Sequence, residues 1–566
     1  MPATESGEAS APPAATSTVS AGGLTVSARS AVHNAARAAL ESLVEDRVAP
    51  RLTERDSELW GPDAAAEAAV RLDWLRLPRT SRELLPRLSE LAANTRDAGL
   101  DHVVLSGMGG SSLAPEVIAA SRGCELTVLD TTDPQQVHSC LADRLERTVL
   151  VVASKSGTTI ETDSHRRAYE QAFREAGIDP ADRIVAVTDP GSPLAELAQE
   201  RGYSLVLADP NVGGRYSALS AFGLVPAALA GVDVAALLDE AEALMASLSA
   251  PPEENPALIL GALLGGWWGH DKLLVTGSAS TGLGDWIEQL VAESTGKDGT
   301  GLLPVVVPET SVPGVAPAPD AHALRVETAA TAGASETTAL VDTTVTGPLG
   351  AQFLAWEYAT AVAGRLLGID PFNQPNVTES KDNTKALLAA PEDENTGTPA
   401  SKPHLVAGPV EVYLGDSPAS RELAVHEDLP DLLRALLATV PEDGYLAVLA
   451  YLDRDVDTRA TEIRTLLARG TTRPVTFGWG PRYLHSTGQY HKGGPRSGAF
   501  LQITGEAPQD VAIPDRPYTF ARLQRAQAQG DLEALTRRDR PTVRLHLRDR
   551  AEGVARVVDA LRRVAS

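Results

Sequence analysis

Cysteine is nearly absent from this 566-residue chain: two residues, Cys124 and Cys140, are too few for a disulfide framework and fit a reducing compartment, so the expected location is cytoplasmic. Long apolar runs are missing too. None approaches the roughly eighteen residues that cross a bilayer, and no membrane partner is expected. Before Arg29 there is no basic residue, so the start lacks the charged region and apolar centre of a signal peptide. Positive charge is short overall. Fifty Lys and Arg stand against 75 Asp and Glu, a formal charge of -25 that repels nucleic acid and anionic lipid. A small anionic substrate would need a local cationic pocket. Lysine is the scarcer cation, with only Lys155, Lys272, Lys297, Lys381, Lys385, Lys402 and Lys492. Each survivor marks either chance or a place where guanidinium will not serve, and most fall inside the unusual segments below.

With 43% hydrophobic residues the chain can bury large cores and should divide into two to four folded units. Residues 1–23, rich in Ala, Pro, Ser and Thr, read as a disordered tail. Residues 24–95 carry apolar positions at helical spacing and read as a helical lead-in. Short apolar runs at 102–106, 126–129, 149–152, 184–187 and 205–207, separated by loops and helical segments, predict an α/β unit over 96–235. Its sheet is expected to be parallel, buried and flanked by helices. A second set at 272–276, 304–307 and 338–341, closed by a helical pattern over about 350–367, predicts another such unit over 236–391. Residues 392–403 read as a linker. Beyond it, 404–566 forms an α/β extension with strand-like runs at 445–450 and 499–503 and an Arg-rich final helix. No short-period repeat stands out, although the two sheet regions could be copies of one design.

Several motifs carry chemistry. The first predicted strand runs into Ser106-Gly-Met-Gly-Gly-Ser-Ser-Leu113, whose small residues let backbone N–H groups approach an anion or polyol. A dinucleotide site competes for this motif, because Asp130 ends the next strand where a ribose-binding acid would sit. The strand ending at Val152 gives Ala153-Ser-Lys-Ser-Gly-Thr-Thr-Ile-Glu-Thr162. Its hydroxyls at Ser154, Ser156, Thr158 and Thr159, together with Gly157 and a helix start, suit a phosphate monoester, although a hydroxyl-rich helix cap would look the same. In Asn211-Val-Gly-Gly-Arg-Tyr-Ser217, Arg215 could act as a fixed charge or lie in a surface turn. In Asp285-Trp-Ile-Glu-Gln-Leu-Val-Ala-Glu-Ser-Thr-Gly-Lys297, Gln289 and Glu293 are four apart on one helical face, and Gly296 is placed to end the helix. Finally, Gln374 precedes a predicted helix that carries Lys381.

Together, and in this order, these motifs resemble the phosphoglucose isomerase family over roughly residues 100–385. The resemblance implies two stacked sugar-isomerase domains, no cofactor and no metal, a small sugar-phosphate substrate, and a homodimer. It implies reversible isomerisation of glucose 6-phosphate and fructose 6-phosphate through a cis-enediolate. By position, Glu293 matches the family's base and Arg215 its catalytic arginine. Lys381 matches the lysine near the ring oxygen. Gly109 and Ser111 match the first sugar loop, and Ser154, Lys155, Ser156, Thr158 and Thr159 match the phosphate loop. Gln289 and Gln374 match the substrate-binding glutamines.

The family's Gly-Gln-His segment is missing between Glu293 and Lys381, and about 180 residues follow Lys385. That extension resembles the isomerase half of fused transaldolase–phosphoglucose isomerase proteins. Gly488-Gln-Tyr-His491 echoes the missing segment, so His491 is expected to open the sugar ring, with His485 as runner-up. Two further readings are an isomerase that also takes mannose 6-phosphate and a non-catalytic sugar-phosphate-binding regulator. A glutamine-dependent amidotransferase is disfavoured, because Pro2 stands where a nucleophilic cysteine would be required.

Overall fold

The computed structural model describes residues 16–277, 281–307, 318–328, 341–389 and 402–564. It opens with an antiparallel hairpin of β1 (Thr16–Ala21) and β2 (Leu24–Arg29). This corrects two expectations. Part of the presumed tail is a strand, and the lead-in starts as a strand before its helices begin at Ser30–Ala35. In β2 Leu24, Val26 and Ala28 are buried while their neighbours are half-buried, the period-2 pattern of a strand with one face on a core.

The first sheet contains β3 (His102–Gly107), β4 (Thr127–Leu129), β5 (Thr148–Ala153), β6 (Ile184–Thr188) and β7 (Ser204–Leu207), all parallel, in the order β4-β3-β5-β6-β7. β3, β5 and β6 are buried along their whole lengths, as strands covered by helices on both faces must be. The order reverses between β3 and β5. At such a switch point the following loops run in opposite directions and leave a crevice at the carboxyl ends of the strands. Both small-residue motifs, 106–112 and 154–159, lie there.

The second sheet joins β8 (Lys272–Thr276), β9 (Leu303–Val306), β10 (Ala321–Thr328) and β11 (Thr343–Gly347) in parallel, with β2 antiparallel on β11, giving β1-β2-β11-β10-β8-β9. The predicted run at 338–341 lies outside the described residues except for Val341, and the strand falls at Thr343–Gly347. Most of the 392–403 linker also lies outside them.

The extension forms a third sheet of β12 (Leu405–Ala407), β13 (Val410–Leu414), β14 (Tyr445–Tyr451), β15 (Val475–Trp479), β16 (Gly498–Gly505) and β17 (Thr542–Leu547), ordered β12-β13-β17-β16-β14-β15. Its edge hairpin is antiparallel and its other four strands are parallel. Strand for strand this is the plan of the second sheet, with β12 and β13 in the places of β1 and β2. The extension is therefore a third copy of the parallel winding. It shares a core with the second sheet, where Leu274, Ala292, Leu303 and Val305 pack with Tyr445, Leu449, Tyr451 and Phe500. Among the described residues no helix is long and apolar enough to cross a membrane. The fold is mixed α/β, with mainly parallel sheets flanked by helices, as the sequence led us to expect.

Candidate active site

The helix Leu283–Thr295 carries Gln289 and Glu293 on one face and stops at Gly296, whose backbone leaves helical geometry. Glu293 is 8% exposed. One carboxylate oxygen accepts from Arg215 Nη1 at 3.1 Å and the other from Gln289 Nε2 at 3.1 Å. Arg215, 5% exposed, spends every guanidinium nitrogen on the site. Its Nε donates to Ser294 Oγ at 2.9 Å, Nη1 also reaches Gln374 Oε1 at 3.2 Å, and Nη2 donates to the Pro371 and Asn373 carbonyls at 2.8 Å. This is a planar cation held in one orientation against a single carboxylate. Lys297 fixes the same loop from below, with Nζ donating to the carbonyls of Asp370 at 2.6 Å and Asn373 at 2.7 Å. Burial, reinforced by the nearby Arg215 charge, lowers its pKa to about 7.

Close backbone approach explains Gly109 and Gly110. A Cβ on Gly110 would lie 1.9 Å from the Gly214 carbonyl oxygen, so this turn can touch the one at 213–214 only without a side chain at Gly110, whereas a Cβ on Gly213 or Gly214 would meet no close neighbour. Gly109 has φ +56° and presses on Gln289 Nε2 and the His485 carbonyl, where a Cβ would come within 2.8 Å of both. Ser111 is buried in the turn beside it. The second motif forms a tight hydroxyl cluster at the start of the helix Ile160–Glu175. Ser154 Oγ and Thr159 Oγ1 are 2.9 Å apart, as are Ser156 Oγ and Thr158 Oγ1. Ser156, Thr158 and Thr159 face a cavity of about 120 Å³ lined also by Lys381, Lys385 and His485.

Lys155 departs from expectation. Its Nζ pairs with Asp189 at 2.5 Å and donates to the Pro210 carbonyl at 3.1 Å, and it does not line that cavity. A carboxylate one loop away is a nearer and permanent partner. The lysines that line the cavity are Lys381 and Lys385, exposed on the helix Val377–Ala389.

His491 is the clearest correction. It is 1% exposed, its Nδ1 pairs with Tyr445 Oη at 2.9 Å, and Tyr445 and Phe500 pack around the ring. Burial, helped by the charge of Lys492, lowers its pKa to about 3, so it stays neutral where a ring-opening group must exchange protons. His485, six residues earlier, faces the other way. Its carbonyl accepts from Gln289 Nε2 at 2.9 Å, its Nε2 lies 3.0 Å from Glu161 Oε1, and its side chain lines the cavity with Lys381.

Sequence reasoning passed over Glu161, Gln527 and Gln489. Glu161 stands inside the quoted phosphate-loop motif, and its Oε1 also accepts from Gln527 Nε2 at 2.7 Å. Burial alone would raise its pKa, but His485 and then Lys381 outweigh that and hold it to about 2. Gln489 ties the extension to the site by donating to the Gly296 carbonyl at 2.9 Å and to Asn376 Oδ1 at 2.8 Å. Asp130 is removed from the dinucleotide reading, since it pairs with Arg482 at 3.0 Å and accepts from Ser112 Oγ at 3.2 Å. Among the described residues, Gln289 Oε1 is buried with no hydrogen-bond partner, an acceptor left free beside Glu293.

A buried carboxylate held by a fixed arginine and a cavity lined by hydroxyls and lysines at a sheet switch point are the arrangement of the aldose–ketose isomerases to which the comparisons assign this chain. The phosphoglucose isomerase family model matches residues 90–299. Similar curated proteins are the glucose-6-phosphate isomerase of Rubrobacter xylanophilus, 31% identical across 60% of this chain and 95% of that protein, and the probable glucose-6-phosphate isomerase of Natronomonas pharaonis, 30% identical across 53% and 82%. A solved glucose-6-phosphate isomerase from Chlamydia trachomatis shares the fold at TM-score 0.52 and 20% identity, covering 65% of this chain and 89% of that one. The chain belongs to the glucose-6-phosphate isomerase family.

Proposed function

We propose that the protein interconverts glucose 6-phosphate and fructose 6-phosphate, with Glu293 as the base that moves a proton between C1 and C2. The observation carrying this reading is the Glu293 carboxylate clamped by Arg215 and Gln289. Ser156, Thr158, Thr159 and the start of their helix suit the phosphate, and Lys381 and His485 share the cavity and open the ring between them. One takes the O1 proton while the other protonates the ring oxygen. Glu293 then removes the C2 proton to give a cis-enediolate and returns it to C1, while a proton passes from O2 to O1. Arg215 supports the negative charge in between. Gln374 and Lys297 act by holding Arg215 and its loop. The histidine comes from the chain's own extension, so the reading holds for a cytoplasmic homodimer, as the family resemblance implies, and equally for a single chain.

The test is steady-state conversion of fructose 6-phosphate by purified protein, with the product read by a coupled glucose-6-phosphate dehydrogenase. Turnover is expected, and its absence in folded protein overturns the proposal.

A further inference from the structure

A second, larger cavity of about 420 Å³ lies on the other side of the short helical turn Arg482–His485. Arg482 and Tyr483 line this one, whereas Leu484 and His485 line the catalytic cavity. Its volume falls within the roughly 300–1,000 Å³ of small-molecule sites. One wall is the start of the Glu293 helix, with Gly284, Asp285 and Glu288. The other belongs to the extension, with Thr461, Arg464 and Thr465 on the helix Thr461–Arg469 and Thr476, Phe477 and Trp479 on β15.

The lining is chemically specific. Arg464 is 8% exposed and its guanidinium has no hydrogen bond or ion pair among the described residues. A buried cation without a partner is costly, and this one lines the cavity. Burial lowers its pKa from the ordinary arginine value, and no carboxylate offsets the shift. Arg482, by contrast, is already committed to Glu116 and Asp130. Trp479 and Phe477 are half-buried, so part of an aromatic surface faces the space. Asp285, exposed, and Glu288, half-buried and raised in pKa by desolvation, present carboxyl oxygens that accept hydrogen bonds from hydroxyl groups. An unpaired guanidinium, an aromatic face, carboxyl groups and three threonine hydroxyls match a molecule that is anionic at one end and hydroxylated at the other.

We propose that this cavity is a second ligand site, separate from the catalytic one, for a phosphorylated polyol whose phosphate meets Arg464 and whose hydroxylated body lies against Trp479, Asp285 and Glu288. The test is a fluorescence titration of the full chain with glucitol 6-phosphate, glucitol and inorganic phosphate, repeated on Trp479→Phe to isolate the signal of Trp479. A saturable, Trp479-dependent response to glucitol 6-phosphate is expected. Arg464→Leu should weaken it roughly tenfold or more, as loss of a charge-assisted bond does, while fructose 6-phosphate turnover stays at the wild-type level. If Arg464→Leu fails to fold, Thr465→Phe, which fills the cavity from the same helix, should abolish the response. An equal response to inorganic phosphate overturns the polyol assignment, an equal response to glucitol overturns the phosphate assignment, and no Trp479-dependent response to any probe overturns the site. Missing turnover in the same preparation overturns only the catalytic proposal.

Discussion

Glu293 and Arg215 are held so completely by neighbouring groups that conservative changes should separate chemistry from binding. Glu293→Gln keeps size and polarity but cannot take a proton. Its kcat for fructose 6-phosphate is expected to fall by roughly 10²–10⁴-fold, the scale of general-base catalysis, with KM little changed. Steady-state assays of the purified variant check this, and wild-type kcat would exclude Glu293 as the base. The two histidines make a paired experiment. His485→Ala removes an imidazole from the cavity and from Glu161, so kcat should fall. His491→Ala empties a site inside an aromatic core, so it should cost about 1–3 kcal/mol in urea unfolding while leaving kcat of the folded fraction intact. The reverse pattern would return the ring-opening role to His491.

At the scale of the element, two loops and one turn bring the site together. The 154–159 loop presents hydroxyls, not its lysine, to the cavity, because Lys155 is held by Asp189. Ser156→Ala and Thr158→Ala should therefore raise KM more than Lys155→Ala does, and KM values for the three variants decide the matter. The glycine turns at 109–110 and 213–214 meet backbone to backbone. Gly110→Ala must push the Gly214 carbonyl away and shift Arg215 with it, costing about 1–3 kcal/mol of stability as well as activity. Thermal unfolding and kcat measured together test this. The Arg482–His485 turn is pinned by Arg482 and Arg454 to Glu116 and Asp130 of the first unit. Burial alone would raise the pKa of Glu116, but Arg482 and then Arg454 bring it down to about 2. That buried charge cluster keeps His485 facing the cavity.

Over the whole molecule, the extension helps to build the candidate site. It supplies His485, Gln489 and Gln527, and it covers apolar residues of the second sheet with Tyr445, Leu449 and Phe500. Lys272 is drawn into the same contact, with Nζ pairing with Asp320 at 2.8 Å and donating to the Asp443 carbonyl at 2.6 Å. A chain ended at residue 403 would lose the histidine and expose that core. It is expected to be inactive and aggregation-prone, as turnover and light scattering would show. A soluble and active truncated chain would mean that the extension is dispensable.

The sequence by itself determined the local chemistry: the apolar runs of the first sheet, the shared face of Gln289 and Glu293, the stop at Gly296 and the hydroxyl loop at 154–159. Each depends on neighbours only a few residues apart, so periodicity and turn chemistry suffice to read it. Other features depend on partners hundreds of residues away. β1 has the Ser, Thr and Ala composition of a tail and becomes a strand because β2 pairs with it and with β11. The repeated six-stranded plan lies in strand order, which no local pattern records. His485 and His491 sit in one short polar segment. Which of them lines the cavity depends on the direction each ring takes once Tyr445 and Phe500 close over one and Glu161 receives the other, and only the packing of the extension against both earlier units decides that.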